Sequence, residues 1–328
     1  MSASIQHVLS KVRPPRVKIT YDVETGDART KKELPFVVGV LADLVGDNTK
    51  EQIILKERKF IDLSGDNFQS VMVALKPTLS LSVKNKFEKG DKAEAVELTF
   101  SSFEDFNPGK VINQMPKMKE VFESRVGIID LLAKLESNDN LLTAINAVIV
   151  KKDVKKKVVE DIFNPETPNI KELLKEHGVL TDDKEGDQFL ISLFVQMVKG
   201  LKNEPVFEEV TDEYSYLMGI VAKIDQLLSL QLDEIMHNEK FKKLESTWRG
   251  LHFLIHNSFL GSSLKIRVLP ITKNELQDDL TKAMAFDQSC LFKKIYEAEY
   301  GTLGGIPYSC LIGDFYFSKS GPDVNLLR

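Results

Sequence analysis

The chain has 328 residues, 42% of them apolar and 28% charged, with a net charge of −5. That is enough for two domains whose cores need neither disulfide nor metal, and the acidic balance excludes a general duplex binder, which needs a basic face. No apolar run approaches the roughly 20 residues that span a bilayer, residues 1–10 lack a secretory pattern, and the two cysteines, Cys290 and Cys310, read as buried thiols of a reduced, cytosolic protein.

Residues 13–16 carry two prolines and form a stiff, extended lead-in. Val17, Ile19, Tyr21 and Val23 then alternate with polar residues, which predicts a half-buried strand over 16–23. Residues 24–33, with Gly26, read as a turn. Residues 36–44 are almost wholly apolar, as in a strand covered on both faces. Residues 60–63 suggest a short edge strand. Asp66 or Asn67 caps a helix running to Leu75, which Pro77 stops. Leu79, Leu81 and Val83, then Val96, Leu98 and Phe100, alternate as two further strands around a polar loop.

The next fifty residues read as helical. Asn107-Pro108 sets a cap before a proline at the first helical position. Pro116 opens a longer helix striped by Met118, Val121, Phe122, Ile129, Leu132 and Leu135, and Leu141, Leu142, Ile145 and Val148 mark another. Residues 151–169 break this regularity with two prolines and five lysines (151, 152, 155, 156 and 157), read as a solvated helix end or linker and as the candidate domain boundary. Apolar stripes follow over 187–201, 211–236 and 241–255. Residues 264–269 predict a strand, Thr272-Lys273-Asn274-Glu275 a capping box that starts a helix, residues 308–317 a last strand, and Pro322-Asp323 the first turn of a new helix. The class is therefore α+β: a mixed sheet with packed helices, then a helical leader and the start of a second α+β domain.

No constellation carries chemistry. His252 and His256 are four apart, but the glutamate of H-E-x-x-H and a third ligand are missing, so they read as polar members of a packed helix. Gly301, Gly304 and Gly305 lack phosphate-loop spacing and read as a tight turn. The acidic residues of 181–187 are out of register for a calcium loop. Neither a nucleophile elbow nor a cysteine–histidine motif occurs. The residues alone give a two-domain interaction protein without cofactor or metal.

The first part resembles the small sheath subunit of type VI secretion systems, the TssB/VipA family. The likeness rests on residues 4–6, 13–26, 32–44, 57–63, 66–68 and 103–108, in family order. The second part resembles the N-terminal part of the large sheath subunit, TssC/VipB, through residues 237–252, 264–269, 286–289, 300–308 and 313–317. The resemblance divides the chain into a small subunit over 1–157, a variable leader over 158–210 and a large-subunit portion over 211–328, cut off at Arg328.

Subunits of this family are usually separate chains that pair into a protomer. The resemblance implies a structural component of a cytoplasmic contractile sheath, with no catalysis and no cofactor. Its implied partners are other sheath protomers, an inner tube protein contacted mostly outside this chain, a ClpV-type ATPase and a baseplate, with no nucleic acid and no membrane insertion. Arg16, Val17, Ile19, Tyr21, Val23 and Gly26 are the candidates for a strand and linker shared between protomers, against an ordinary edge strand in their own sheet. Phe189, Leu190, Leu193, Phe194 and Met197 are the candidate ATPase-binding helix, against a core helix. Phe241, Leu244, Trp248 and Leu251 form the core of the large-subunit motif. The competing readings are a cytosolic adaptor that binds the ATPase without polymerising, and an enzyme using the histidine pair or the glycine turn.

Overall fold

The computed structural model describes residues 20–25, 28–48, 53–87, 92–135, 138–164, 166–181, 183–202, 212–300, 302 and 304–327. In chain order come β1 (Thr20–Thr25), β2 (Ala28–Glu33), β3 (Phe36–Ala42), β4 (Ile61–Leu63), α1 (Phe68–Leu75), β5 (Thr78–Lys84) and β6 (Ala93–Thr99). The helices α2 (Pro108–Gln114), α3 (Pro116–Leu135), α4 (Asp139–Val150), α5 (Lys152–Glu160), α6 (Pro168–Glu176), α7 (Lys184–Leu201), α8 (Glu213–Met236) and α9 (Glu239–His256) follow. After β7 (Leu264–Pro270) and α10 (Lys273–Lys282), the segments Cys290–Phe292, Lys293–Glu297 (a π-turn) and Ala298–Tyr300 make one helix, α11; β8 (Cys310–Gly313) and α12 (Gly321–Leu327) complete the chain. The class is α+β, as the sequence predicts.

The chain divides into two compact units. The first gathers Met1–Leu81, Glu97–Phe106 and Asn238–Arg328; the second gathers Ser82–Val96 and Asn107–His237.

A four-stranded mixed sheet with the order β4-β7-β3-β8 organises the first unit. β3 is flanked by parallel strands on both sides, which is why it is apolar along its length and buried from Val37 to Ala42. β7 buries Val268 and Leu269, and β4 closes its outer side antiparallel. A helix with apolar residues every third or fourth position presents one face to a core; α9 buries Phe241, Leu244, Trp248, Leu251 and Ile255 in this way. The Phe68 ring meets Trp248 edge-on at 5.5 Å, and Phe100 stacks on Phe106 at 4.4 Å, geometries that favour aromatic pairs. A second cluster, Leu41, Leu269, Ile271 and Leu276, joins the sheet to α10. The capping box forms: Thr272 accepts from the Glu275 N–H, and Glu275 accepts in return from the Thr272 N–H.

Apart from the end of β5 and the start of β6, the second unit is helical. α3 packs along α7 and α8, burying Met118, Ile128, Leu131, Leu132 and Leu135. Arg125 pairs with Asp225, and Lys199 lies 3.4 Å from Glu120. The buried Asp161 carboxylate accepts from the Ile170 N–H and the Asn169 amide, each at 2.7 Å, which fixes the start of α6.

Several sequence expectations are corrected. Residues 24–33 are mostly strand rather than turn: β2 pairs antiparallel with β1 from Thr20↔Glu33 to Thr25↔Ala28, and this hairpin is a separate two-stranded sheet. The predicted strand over 308–317 shrinks to four residues, because β3, its pairing template, ends its register at Leu41↔Gly313. Residues 151–169 are not irregular: α5 forms there and buries Lys155 and Val158. On α3, Ile129 is exposed while Ile128 is buried, one residue further round the helix. Cys310 is an exposed thiol on an edge strand, and Cys290 is half-buried. Asn67 occupies the cap position of α1, but its side chain ties Ser64 and Asp62 into the turn before it.

Candidate functional site

Strands from distant parts of the sequence alternate across the sheet. β4 and β3 come from residues 36–63, β7 and β8 from residues 264–313, and the order β4-β7-β3-β8 interleaves them. The central pairing runs in register from Phe36↔Leu264 to Ala42↔Pro270. Flanking backbone bonds extend it: the Phe36 N–H donates to Ser263 O at 2.8 Å, Ile271 to Ala42 O at 2.9 Å, Ser309 to Val37 O at 2.8 Å and Asp314 to Leu41 O at 2.9 Å. Neither segment can satisfy these strands alone, and an unpaired buried backbone group is costly. At Gly39 an added Cβ would lie 2.7 Å from Leu311 and 2.9 Å from Tyr308, so the missing side chain lets β8 lie close.

Side chains lock this seam. Arg58 is 8% exposed, and all five of its N–H groups are engaged. Nε and Nη2 donate to Ile53 O at 3.2 and 3.0 Å, Nη1 to Pro270 O at 2.5 Å, and Nη1 and Nη2 to the two Glu275 oxygens at 3.2 and 3.0 Å. Arg267 of β7 reaches Asp62 of β4 at 2.7 Å and Glu299 of α11 at 2.8 Å. Burial works against its charge, but these carboxylates and Tyr308 outweigh burial and hold its pKa above the ordinary value. The Trp248 indole donates to Leu44 O at 3.1 Å, fastening α9 to the chain beyond β3. Lys240 meets both Asp47 oxygens at 3.0 and 3.1 Å, and Lys243 lies 3.8 Å from Asp43. Burial raises the Asp43 pKa, with Lys243 and the Gly46 N–H pulling it back.

Glu275 gives the lock a pH dependence. Burial pushes its pKa up, but hydrogen bonds from Arg58 and Thr272 prevail and hold it below the ordinary value of 4.5. A carboxylate depressed in the folded state stabilises fully above its unfolded pKa, and that contribution disappears as pH falls through the folded value. The urea midpoint of the first unit therefore falls as pH drops below about 4.5, and Glu275→Gln removes this component of the profile.

Of the residues singled out by sequence, Arg16, Val17, Ile19 and Gly26 lie outside the described residues. Tyr21 and Val23 sit on β1, opposite Lys32 and Thr30 of β2. On α7, Leu193, Phe194 and Met197 are buried, Leu190 is half-buried and Phe189 is 50% exposed, its ring under the Lys134 ammonium at 5.1 Å. His252 stacks on His256 at 3.8 Å and on Phe103 at 4.4 Å. No group of three or more potential metal-ligating side chains occurs among the described residues. Gly304 adopts φ +83° within the predicted turn, while Gly301 and Leu303 lie outside the described residues. Sequence reasoning missed Arg58, Asp62, Arg267 and Gly39. The signals available were the likeness at residues 57–63 and 264–269 and the capping box that Glu275 closes.

Comparison with known proteins follows the same division. The family "Type VI secretion system, VipA" matches residues 9–162, and VipB, "tail sheath N-terminal domain", matches residues 219–328. The type VI secretion system sheath protein TssB1 of Pseudomonas aeruginosa is 35% identical over 135 residues, 41% of this chain and 78% of the relative. The sheath protein TssC1 of the same organism is 50% identical over 118 residues, 35% of this chain. The chain spans 24% of the length of TssC1. β3 and β4 thus fall in the VipA-like stretch and β7 and β8 in the VipB-like stretch.

Proposed function

The chain belongs to the VipA (TssB) family of type VI secretion sheath proteins and continues into a VipB-type tail sheath N-terminal domain, and on that premise we propose that it is a sheath protomer with both subunits in one polypeptide. The observation that carries the reading is the interleaved sheet. A small-subunit strand, β3, lies between two large-subunit strands, β7 and β8. Such a sheet holds the small-subunit and large-subunit strands of the first unit together, whether or not the two parts are covalently joined. We assign residues 1–157 to the small subunit, 158–210 to a leader and 211–328 to the large-subunit portion.

In this reading the protomer polymerises in the cytoplasm around an inner tube and contracts to drive it out. A helical array uses a heterologous interface that does not close. The strand of Arg16, Val17, Ile19, Tyr21 and Val23, with the Gly26 turn, links neighbouring protomers. Support comes from β1 and β2, which form their own two-stranded sheet apart from the four-stranded one; an isolated hairpin is marginal in water and gains from added strands. Contraction needs no catalytic residue, because it releases energy held in a two-packing interface set. A ClpV-type ATPase engages α7 at its exposed end, near Phe189 and Leu190; Leu193, Phe194 and Met197 are reached only if the helix leaves its packing. The inner tube protein is contacted mostly outside this chain, and the baseplate is a further partner.

Electron microscopy of the natural full-length assembly tests this. Tubular assemblies are expected. A protein that binds the ATPase and forms no tubes would replace the sheath reading with an adaptor.

A further inference from the structure

On α9, Trp248, His252 and His256 follow one another at four-residue steps, which lines their side chains along one side of the helix. The Phe68 ring of α1 stands nearly perpendicular to all three, at 5.5, 5.4 and 6.5 Å. The two imidazoles stack at 3.8 Å, and His252 continues the stack onto Phe103 at 4.4 Å with the planes 10° apart. We propose that this column is a pH-sensitive latch: it holds the turn of residues 101–105 against α9 while at least one imidazole is neutral, and releases the turn when both are protonated.

Phe103 lies in the turn between β6 and α2, where the chain is about to pass from the first unit into the second at Asn107. The ends of this turn are anchored. Phe106 is fully buried and stacks on Phe100 at 4.4 Å, and the Gln69 amide donates to Ser101 O at 2.6 Å. Release is therefore confined to the residues between these anchors. There the Phe103 ring is half-buried, meets Phe68 and Phe106 edge-on, and has His252 as its face-to-face partner.

The charges around His252 oppose a second proton. Its own helix brings His256 and Arg249, and Glu245 is bonded to Arg249 at 2.7 Å. The turn brings Glu104, which is exposed, and Asp105, whose carboxylate accepts from the Ser101 and Ser102 N–H groups at 2.7 Å each. α1 carries no ionisable residue. Of these groups His256 and Arg249 act on His252: burial first, then these two cations, lower its pKa below the ordinary value of 6.5. His256 Nδ1 lies 2.9 Å from the His252 carbonyl, which can only accept, so Nδ1 carries a hydrogen and a further proton enters at Nε2. One imidazolium can stack on a neutral ring, but a second puts like charges on rings 3.8 Å apart, beside Arg249. A phenyl face attracts a cation, yet Phe103 already lies 5.4 Å from the Arg249 guanidinium and would share itself between two. Because the closed latch depresses the His252 pKa, its stabilisation is complete above 6.5 and is lost as pH falls through the lower folded value. This inference goes beyond the sheath reading and does not depend on it.

The full chain, labelled with ¹³C at histidine Cε1 and on the phenylalanine rings, provides the test. It is titrated by magnetic resonance from about pH 8 down to about pH 5, above the range in which Glu275 takes up its proton. His252 and His256 are expected to titrate in two separate steps. Cross-relaxation between Phe103 and His252 is expected at the upper end and fades toward the lower, the closed-to-open ratio of the turn falling about tenfold per pH unit once the second proton binds. His256→Gln removes one like charge, so His252 titrates closer to 6.5 and the turn stays closed to lower pH. His252→Gln abolishes the pH response of the Phe103 ring signals. Three results would overturn the proposal: a Phe103–His252 contact unchanged over the whole range, a His252 titration indifferent to His256→Gln, or a Phe103 response that persists in His252→Gln, which would assign it to Glu104 or Asp105.

Discussion

Replacing Arg58 with alanine is expected to lower the free energy of unfolding of the first unit by about 3 kcal/mol. The side chain is 9% exposed and sits between Ile53, Pro270 and Glu275. Its removal leaves two backbone carbonyls without their donor and a carboxylate without its counter-ion. The loss at the buried Pro270 carbonyl is the one that water restores least, whereas Ile53 is exposed and its carbonyl bonds are only part-buried. Glu275 is 35% exposed, so solvent screens part of its charge, and the lower end of the range for broken buried pairs applies. Glu275→Gln is milder, because glutamine preserves the capping box. In a cycle with Arg58→Met and Glu275→Gln, a coupling of about 2 kcal/mol is expected from urea unfolding. A coupling below about 0.5 kcal/mol would mean that the pair merely coexists at the seam.

Trp248→Ala is expected to cost about 4 kcal/mol. Its side chain is fully buried among Phe68 and the α9 stripe, and its indole bonds Leu44 O. The substitution removes the largest buried side chain of the first unit and opens a cavity where α9 meets the chain after β3. Trp248→Phe separates the two contributions. It keeps most of the packing and deletes the donor, at about 1–2 kcal/mol for the carbonyl left buried. Thermal and urea unfolding of both variants measure the split. If Trp248→Phe costs as much as Trp248→Ala, the hydrogen bond and not the packing holds the helix.

Local structure was legible wherever it depends on neighbours in sequence. The doubly covered strand at residues 36–42, the α9 stripe and the capping box at Thr272 each follow from periodicity or cap chemistry. The seam was not legible, because it joins residues more than 200 positions apart: Arg58 with Glu275, and Leu44 with Trp248. Alternation announces a strand but not its partner. The same limit explains β2 and β8. Charged residues at 28–33 hid a strand whose partner is local, and the apolar run after Tyr308 suggested more strand than β3 can template. Sequence likeness to two families placed the seam residues inside matching segments, yet only the sheet order revealed that the segments share one core.

That shared core is the central claim, and native-state hydrogen exchange tests it most directly. Strands in one cooperative unit lose protection together at one free energy. The amides of Val38, Val40 and Leu41 on β3 and of Ile266, Val268 and Leu269 on β7 are predicted to exchange through a common opening, and Arg58→Ala is predicted to lower that opening energy equally in both strands. Protection that persists on β7 while β3 exchanges freely, or a response to Arg58→Ala confined to one strand, would contradict it.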